Sequence, residues 1–264
     1  MFPNGGNVLT RAIVRSPSRN FAEGLTSSAL GPPDYELATQ QHDAYCATLQ
    51  QLGISLTRLP ADERYPDSTF VEDAAVIAER VAVITRPGAP SRQGEVEDIS
   101  EALHHFYSTL QKIEEPGTLD GGDICQVDDD FFIGISERTN EDGAAQLSRI
   151  LERAGYTSTF IDVRNFSSTL LHLKSGLAYL GQNRLVVDAE LRDRYAFKKF
   201  QVISPDPSEA YAANCLAFGS TVLIAANHPR FELQLRQHGF NTIAVDMSEF
   251  QKMDGGLSCL SLRF

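Results

Sequence analysis

Residues 119–155 read LDGGDICQVDDDFFIGISERTNEDGAAQLSRILERAG, two strand-length apolar runs followed by a segment of helical period. Asp123–Val127 and Phe131–Ile135 are separated by the acidic turn Asp128-Asp129-Asp130, which predicts a hairpin. From about Asn140 to Ala154, Ala144, Leu147, Ile150 and Leu151 recur at three- and four-residue steps. That spacing predicts an amphipathic helix, and Gly155 ends it. One more short strand is expected after the helix, so the unit is strand, strand, helix, strand.

The same order recurs along the chain. Phe70–Ile77 pairs with Val81–Thr85 across Ala78-Glu79-Arg80, ahead of a helix from about Gly94 to Tyr107 with Val96, Ile99, Leu103 and Phe106 on its inner face. Gly176–Leu180 pairs with Arg184–Asp188. Asn214–Phe218 pairs with Thr221–Ala225 across Gly219-Ser220, before a helix marked by Phe231 and Leu235 and stopped at Gly239. A fifth unit is split between the chain ends: Ser258–Phe264 and Leu9–Arg15 supply its hairpin strands, a helix from about Tyr35 to Leu52 follows, and Ile54–Leu59 is its last strand. Pairing the terminal strand with the initial one closes a ring and leaves no long exposed edge. The expected fold class is α/β, a five-fold pseudosymmetric α/β propeller of strand-strand-helix-strand units forming a single domain over residues 1–264. The competing arrangement is an open α/β sheet with hairpin insertions. A nucleotide-binding version of it would carry G-x-G-x-x-G or G-x-x-x-x-G-K-S/T after a strand, and neither occurs.

Twenty-three Lys and Arg against 35 Asp and Glu give a formal charge of −12 over 264 residues. That sign disfavours a broad phosphate-binding surface, so neither nucleic acid nor an anionic membrane is expected as a partner, whereas a small cation would be drawn to the field. The four cysteines, Cys46, Cys125, Cys215 and Cys259, form no C-x-x-C pair, which argues against a disulfide framework or a zinc module and suits a reduced compartment. The opening MFPNGGNVLTRAIVRS shows no charged segment leading into an apolar one, and no run approaches the roughly 18 apolar residues of a membrane span. A soluble, cytoplasmic protein is expected.

The unit openings carry polar residues that core strands avoid: PDSTFVED, LDGGD, LHLKSG, YAANC and DGGLSC. Buried carboxylates are costly unless paired, so Glu72, Asp73, Asp120 and Asp123 point to a charged ligand; for the last two, flanking Gly121-Gly122, solvated turn positions are the alternative. Cys259 follows the permissive Asp254-Gly255-Gly256, and His172 opens another unit. Cys46, Cys125 and Cys215 are read as small buried hydrophobes, and His42, His104, His105, His228 and His238 as structural. A cysteine, a histidine and several acids suit nucleophilic attack on an electrophilic carbon that bears a cation. A free thiol ionises near pH ~8.5, and a bound guanidinium would favour the thiolate while paired carboxylates held its planar N–H groups. A thiol peptidase built on a Cys–His pair is a further alternative; it would need a peptide groove and an oxyanion hole.

Taken in order, GLTSS, PDSTFVED, ITRPGAPSR, LDGGD, ERTN, LHLKSG, YAANC and DGGLSCLS resemble dimethylarginine dimethylaminohydrolase, of the guanidino-group modifying superfamily of five-fold α/β propellers, over nearly the whole chain. The resemblance implies hydrolysis of N-omega-methylated arginines, asymmetric dimethylarginine and monomethylarginine, to citrulline and an amine through a covalent cysteine adduct. It makes Cys259 the nucleophile, His172 the general acid and then base, Asp120 a partner of the histidine and of the guanidinium, and Asp73 a second guanidinium clamp supported by Glu72. Bacterial relatives carry Glu where Asp120 sits, so the shorter side chain implies an intervening water or a shifted histidine. Arg92 and Arg138 would take the substrate carboxylate, Asp67 and the Leu25 backbone its α-amino group, and Gly24–Gly31 would form a mobile lid. No metal or organic cofactor is implied, since the substrate supplies the positive charge. The implied partner is the small-molecule substrate, and a homodimer is the assembly left open. Alternatives within the superfamily are arginine or agmatine deimination and amidino transfer; from another class, a non-enzymatic propeller that binds a partner. Two arginines for a carboxylate disfavour agmatine, and a pure binding module has no reason to gather Cys259, His172, Asp73 and Asp120.

Overall fold

The computed structural model describes residues 9–164 and 171–264; the first eight residues of the opening read for a targeting segment lie outside them. Five three-stranded sheets make up the architecture. In chain order the elements are β1 (Arg11–Arg15), α1 (Tyr35–Gln51), β2 (Ser55–Leu59), β3 (Ala75–Ala78), β4 (Val81–Ile84), α2 (Val96–His104) and β5 (Gln111–Lys112). Then come β6 (Ile124–Val127), β7 (Asp130–Ile135), α3 (Glu141–Arg153), β8 (Thr157–Asp162), β9 (Leu177–Gly181), β10 (Arg184–Val187) and β11 (Gln201–Ile203). The remainder are β12 (Leu216–Phe218), β13 (Thr221–Ala225), α4 (Pro229–Gln237), β14 (Asn241–Val245), α5 (Ser248–Gln251) and β15 (Leu262–Arg263).

Each sheet has one plan: the middle strand pairs antiparallel with the first and parallel with the third, as in β6-β7-β8. The split unit follows it too. β15 pairs antiparallel with β1 through Ala12↔Arg263 and Ile13↔Leu262, and β1 runs parallel to β2, so the two ends of the chain share one sheet and the ring closes. First strands of adjoining units touch, β15 with β3, β6 with β9 and β9 with β12, which puts them at the centre. In the second unit the apolar residues of the sheet pack against its helix: Phe131, Ile133 and Ile135 of β7 meet Ala144, Leu147 and Leu151 of α3. Asn140 starts α3 by accepting the Gly143 N–H at 2.8 Å, and Gly155, at φ 82°, ends it.

Three expectations need correction. The third unit has no helix between β10 and β11; a 3₁₀ turn at Tyr195–Phe197 makes the crossover. The terminal strand is short, because Ser258–Leu260 is itself a 3₁₀ turn. Most important for the site, the polar unit openings are not strand. Val71–Ala74, Gly121–Asp123 and Leu173–Ser175 are also 3₁₀ turns, each leading into a first strand. A strand would send alternate side chains to opposite faces, whereas these turns meet at the hub, where each buried carboxylate finds backbone N–H or side-chain donors. The meeting is close: a Cβ at Gly121 would lie 2.0 Å from the Glu72 carbonyl oxygen.

His42 lies buried on α1, its Nε2 without a hydrogen-bond partner among the described residues, and burial pushes its pKa down to about 4. The unfolded chain therefore takes up this proton first. The stability held by neutral His42 is full above pH ~6.5 and declines as pH falls toward 4, by about 3 kcal/mol at most. His42→Leu should flatten that part of the melting temperature's pH dependence; parallel curves for variant and wild type would contradict it.

Candidate active site

A cleft of about 370 Å³ opens over the hub, lined by Leu25, Asp67, Asp73, Arg92, Arg138, His172, Asp254 and Cys259 together with the apolar Phe70, Leu171 and Met253. Cys259 sits on the turn that follows β12–β14 and α5, half-buried at the cleft, and the Gly256 N–H donates to its Sγ at 3.3 Å. Burial pushes its thiol up to about 12, with the negative charges of Glu72 and Asp73 adding to the effect. Cys259 is therefore held as a thiol in these surroundings.

His172 enters from the third unit. Its Nε2 faces Asp120 Oδ2 at 3.0 Å, so the aspartate reaches the ring directly, without an intervening water. Burial opposes a charge on the ring, but Asp73, Asp120 and Asp123 outweigh it and lift the pKa to about 9, so His172 is an imidazolium at neutral pH. Asp123 acts from behind: it accepts the Leu173 N–H at 2.9 Å and the hydroxyls of Ser136 and Thr139, both at 2.6 Å. Thr139 in turn accepts the Asp120 N–H at 3.1 Å, so the ERTN segment fixes both acids that flank the histidine.

Asp73 is buried, which disfavours its charge, yet His172 and Arg92 hold its pKa down to about 2. Its Oδ1 accepts the Gly122 N–H at 2.9 Å and its Oδ2 pairs with Arg92 Nη1 at 2.7 Å. Gly122 is confined: a Cβ there would approach His172 Nδ1 to 2.8 Å and Asp73 Oδ1 to 2.9 Å. Asp67 accepts the Leu25 N–H with both oxygens, at 3.1 and 3.0 Å, tying the Gly24–Gly31 segment to the cleft. Asp254 ties it a second time, accepting the Ser27 N–H at 2.6 Å and its hydroxyl at 3.0 Å.

Two residues have partners that the sequence does not show. Glu72 does not line the cleft; it accepts hydrogen bonds from Lys174 Nζ and Ser258 Oγ, each at 2.6 Å, and from Arg263 Nη2 at 3.3 Å, as a buried brace behind the cleft wall. Arg92 lines the cleft, but its guanidinium is already engaged by Glu95, Asp73 and the carbonyls of Asp67 and Phe70. Glu95, unremarked in the sequence, is legible afterwards as an i,i+3 acid to Arg92, and burial raises its pKa to about 7. For Arg138 no side-chain ion pair occurs among the described residues. Asp73, Asp120 and His172 bring one potential ligand atom each within 4.8 Å of one another, a spacing that could hold a metal ion. Each of the three already has a charged or hydrogen-bonding partner in this set of contacts.

Residues 34–261 match the family model described as N,N dimethylarginine dimethylhydrolase, eukaryotic. The chain belongs to the dimethylarginine dimethylaminohydrolase family. It is 46% identical over 253 residues to the N(G),N(G)-dimethylarginine dimethylaminohydrolase of Pseudomonas aeruginosa, covering 96% of this chain and 98% of that one. A solved structure from Pseudomonas aeruginosa, a cysteine-to-serine mutant of dimethylarginine dimethylaminohydrolase complexed with citrulline, superposes with a TM-score of 0.94 at 44% identity and covers 97% of this chain and 100% of that one. A dimethylarginine dimethylaminohydrolase histidine-to-glycine adduct with S-methyl-L-thiocitrulline gives a TM-score of 0.93 at 45% identity, with the same coverage. In this member of the dimethylarginine dimethylaminohydrolase family, the other three cysteines are buried and burial raises their thiols to about 11 at Cys46 and Cys125 and about 12 at Cys215. None of those three lines the cleft.

Proposed function

We propose that the chain hydrolyses asymmetric dimethylarginine and monomethylarginine to citrulline and dimethylamine or methylamine, through a covalent adduct on Cys259. The observation that carries this reading is the convergence of Cys259, His172 and Asp73 on one cleft that Asp67 and Arg138 also line. Asp73 receives the guanidinium and turns its carbon toward Sγ. Arg138 takes the substrate carboxylate, with Arg92 beside it, and Asp67 with the Leu25 backbone receives the α-amino group. The Pseudomonas aeruginosa structure with citrulline and the thiocitrulline adduct are in keeping with that product and with covalent chemistry.

A substrate guanidinium between Asp73 and Cys259 offsets the acids that hold the thiol protonated, so the thiolate forms once substrate is bound. Sγ bonds to the guanidinium carbon as the C–N bond to the methylated nitrogen breaks. Nε2 of His172 faces Asp120, and the other ring nitrogen, Nδ1, hands its proton to the departing amine. The neutral ring then takes a proton from water, whose oxygen attacks the thiouronium carbon; the C–S bond of the tetrahedral species breaks as its hydroxyl proton passes to solvent, and citrulline leaves with the thiolate restored. Asp120, out of contact with the cleft, acts through the histidine.

The pH dependence follows from His172. Its proton is needed for the leaving amine, so kcat/KM should fall as pH rises through about 9. Asp120→Asn removes one of the charges that raise His172, and should move this falling limb to lower pH by about one unit. Comparison with wild type cancels titration of the substrate's own amino group; an unmoved limb would assign it to another group.

One catalytic domain over residues 1–264 is part of the same proposal, supported by the sharing of one sheet by both chain ends. So are a cytoplasmic location, the absence of nucleic-acid and membrane partners, and a homodimer as the assembly to test by sedimentation. Among the described residues no helix is long and apolar enough to cross a membrane. The deciding assay supplies asymmetric dimethylarginine, monomethylarginine, arginine and agmatine in parallel and measures citrulline and released amine. Turnover of arginine equal to or faster than that of the methylated substrates would replace the proposal with deimination.

A further inference from the structure

Tyr211–Cys215 opens the fourth unit, and the chemistry above gives it no task. Asn214, 5% exposed, lies behind the cleft wall and not in it. Its side-chain oxygen accepts the Ser258 N–H at 2.9 Å, and its Nδ2 donates to the Lys174 carbonyl at 2.8 Å and to Ser258 Oγ at 2.9 Å. Ser258 immediately precedes Cys259, and Lys174 lies on the turn that His172 caps. One amide thus joins the turn bearing the nucleophile to the turn bearing the histidine, with both N–H groups and the carbonyl used. Among the described residues no backbone hydrogen bond joins residues 171–176 to residues 254–260. Glu72 provides the parallel tie, from Ser258 Oγ to Lys174 Nζ, but through the end of a flexible lysine. Among the described residues, Asn214 alone reaches the main chain on both sides. Gly256, whose N–H meets Sγ, packs so closely on it that a Cβ would lie 2.6 Å from Asn214 Cγ.

We propose that Asn214 is a positioning residue of this reaction, a clasp that sets the separation and aim of Cys259 and His172 without touching substrate. The proposal rests on the reading of those two residues as nucleophile and acid–base. A displacement of about 1 Å between reacting groups costs on the order of 100-fold in rate while leaving the binding contacts intact. The clasp therefore acts on kcat and on the environment of Sγ, not on affinity.

The test compares wild type with Asn214→Ala and Asn214→Asp by steady-state kinetics on asymmetric dimethylarginine. Peptide-resolved rates of Cys259 alkylation by iodoacetamide across pH provide a readout that needs no substrate. Asn214→Ala should lower kcat about 100-fold with KM within about 3-fold of wild type. Asn214→Asp keeps the acceptor for the Ser258 N–H, and with it the local fold, but loses the two donated bonds and adds a negative charge near Glu72. It should lower kcat and slow Cys259 alkylation at a fixed pH, because the added charge lowers the thiolate fraction. Wild-type kcat in both variants, or activity lost only in proportion to unfolded protein with an unchanged alkylation rate, would overturn the clasp. If Asn214→Ala does not fold, Asn214→Asp carries the test. Absence of wild-type turnover on any methylarginine would sink the functional reading instead, and the alkylation rate at fixed pH would still decide the clasp.

Discussion

Cys259→Ser is expected to lower kcat at least about 10⁴-fold while the variant still binds asymmetric dimethylarginine, because a hydroxyl at this site has neither the acidity nor the nucleophilicity to form the adduct. The cleft makes the demand severe. Burial and the charges of Glu72 and Asp73 already hold the thiol up at about 12, so even cysteine depends on the substrate's cation to ionise, and serine starts far higher. The ligands for the substrate's charged groups come from other turns and are untouched, so calorimetric titration should find affinity near that of wild type. Cys125→Ser is the control: Cys125 is buried in the core formed with Phe132, Leu173 and Leu177, outside the cleft, and should keep wild-type kcat. Retained turnover in Cys259→Ser would remove the nucleophile assignment.

His172→Gly should lower kcat by about 10³-fold with little change in KM, since in the proposed reaction the ring supplies a proton to one step and removes one in the next. The two losses can be separated. A methylthio leaving group departs without needing the proton that an amine needs, so S-methyl-L-thiocitrulline should still form the Cys259 adduct in this variant, which then persists for want of a base to activate water. Intact-mass measurement reads the adduct directly. Rapid hydrolysis of the adduct in His172→Gly would assign the second proton transfer to another group.

Much of this arrangement was legible because it is written locally. Hairpins and helices follow from apolar spacing and turn residues, and repetition of one unit strengthens each reading; β6, β7 and α3 fall where residues 119–155 put them. The limits are equally physical. Apolarity alone extended the strands into Phe70–Ala74 and Asp123, where buried carboxylates impose 3₁₀ turns so that backbone donors can reach them. In the third unit no amphipathic run exists to build a helix, and the short crossover there is fixed by tertiary packing of Phe197 on Phe132. Within the site, residue types identified Cys259, His172, Asp73 and Asp120. Asp123 was singled out but read as facing a ligand, and Glu95 and Asn214 escaped, because the work of all three is to hold other residues; their partners come from distant turns or, for Glu95, from a short-range pairing with Arg92 that no strand or helix signal marks.

The central claim is that this chain cuts a methylated guanidinium through a covalent bond to Cys259, and acid quench of wild-type enzyme during its first turnover tests it most directly. Peptide mass spectrometry should find the Cys259 peptide heavier by the mass of asymmetric dimethylarginine less that of dimethylamine, with dimethylamine released in equal amount. Dimethylamine and citrulline formed with Cys259 never modified, or an adduct on any other residue, would contradict it.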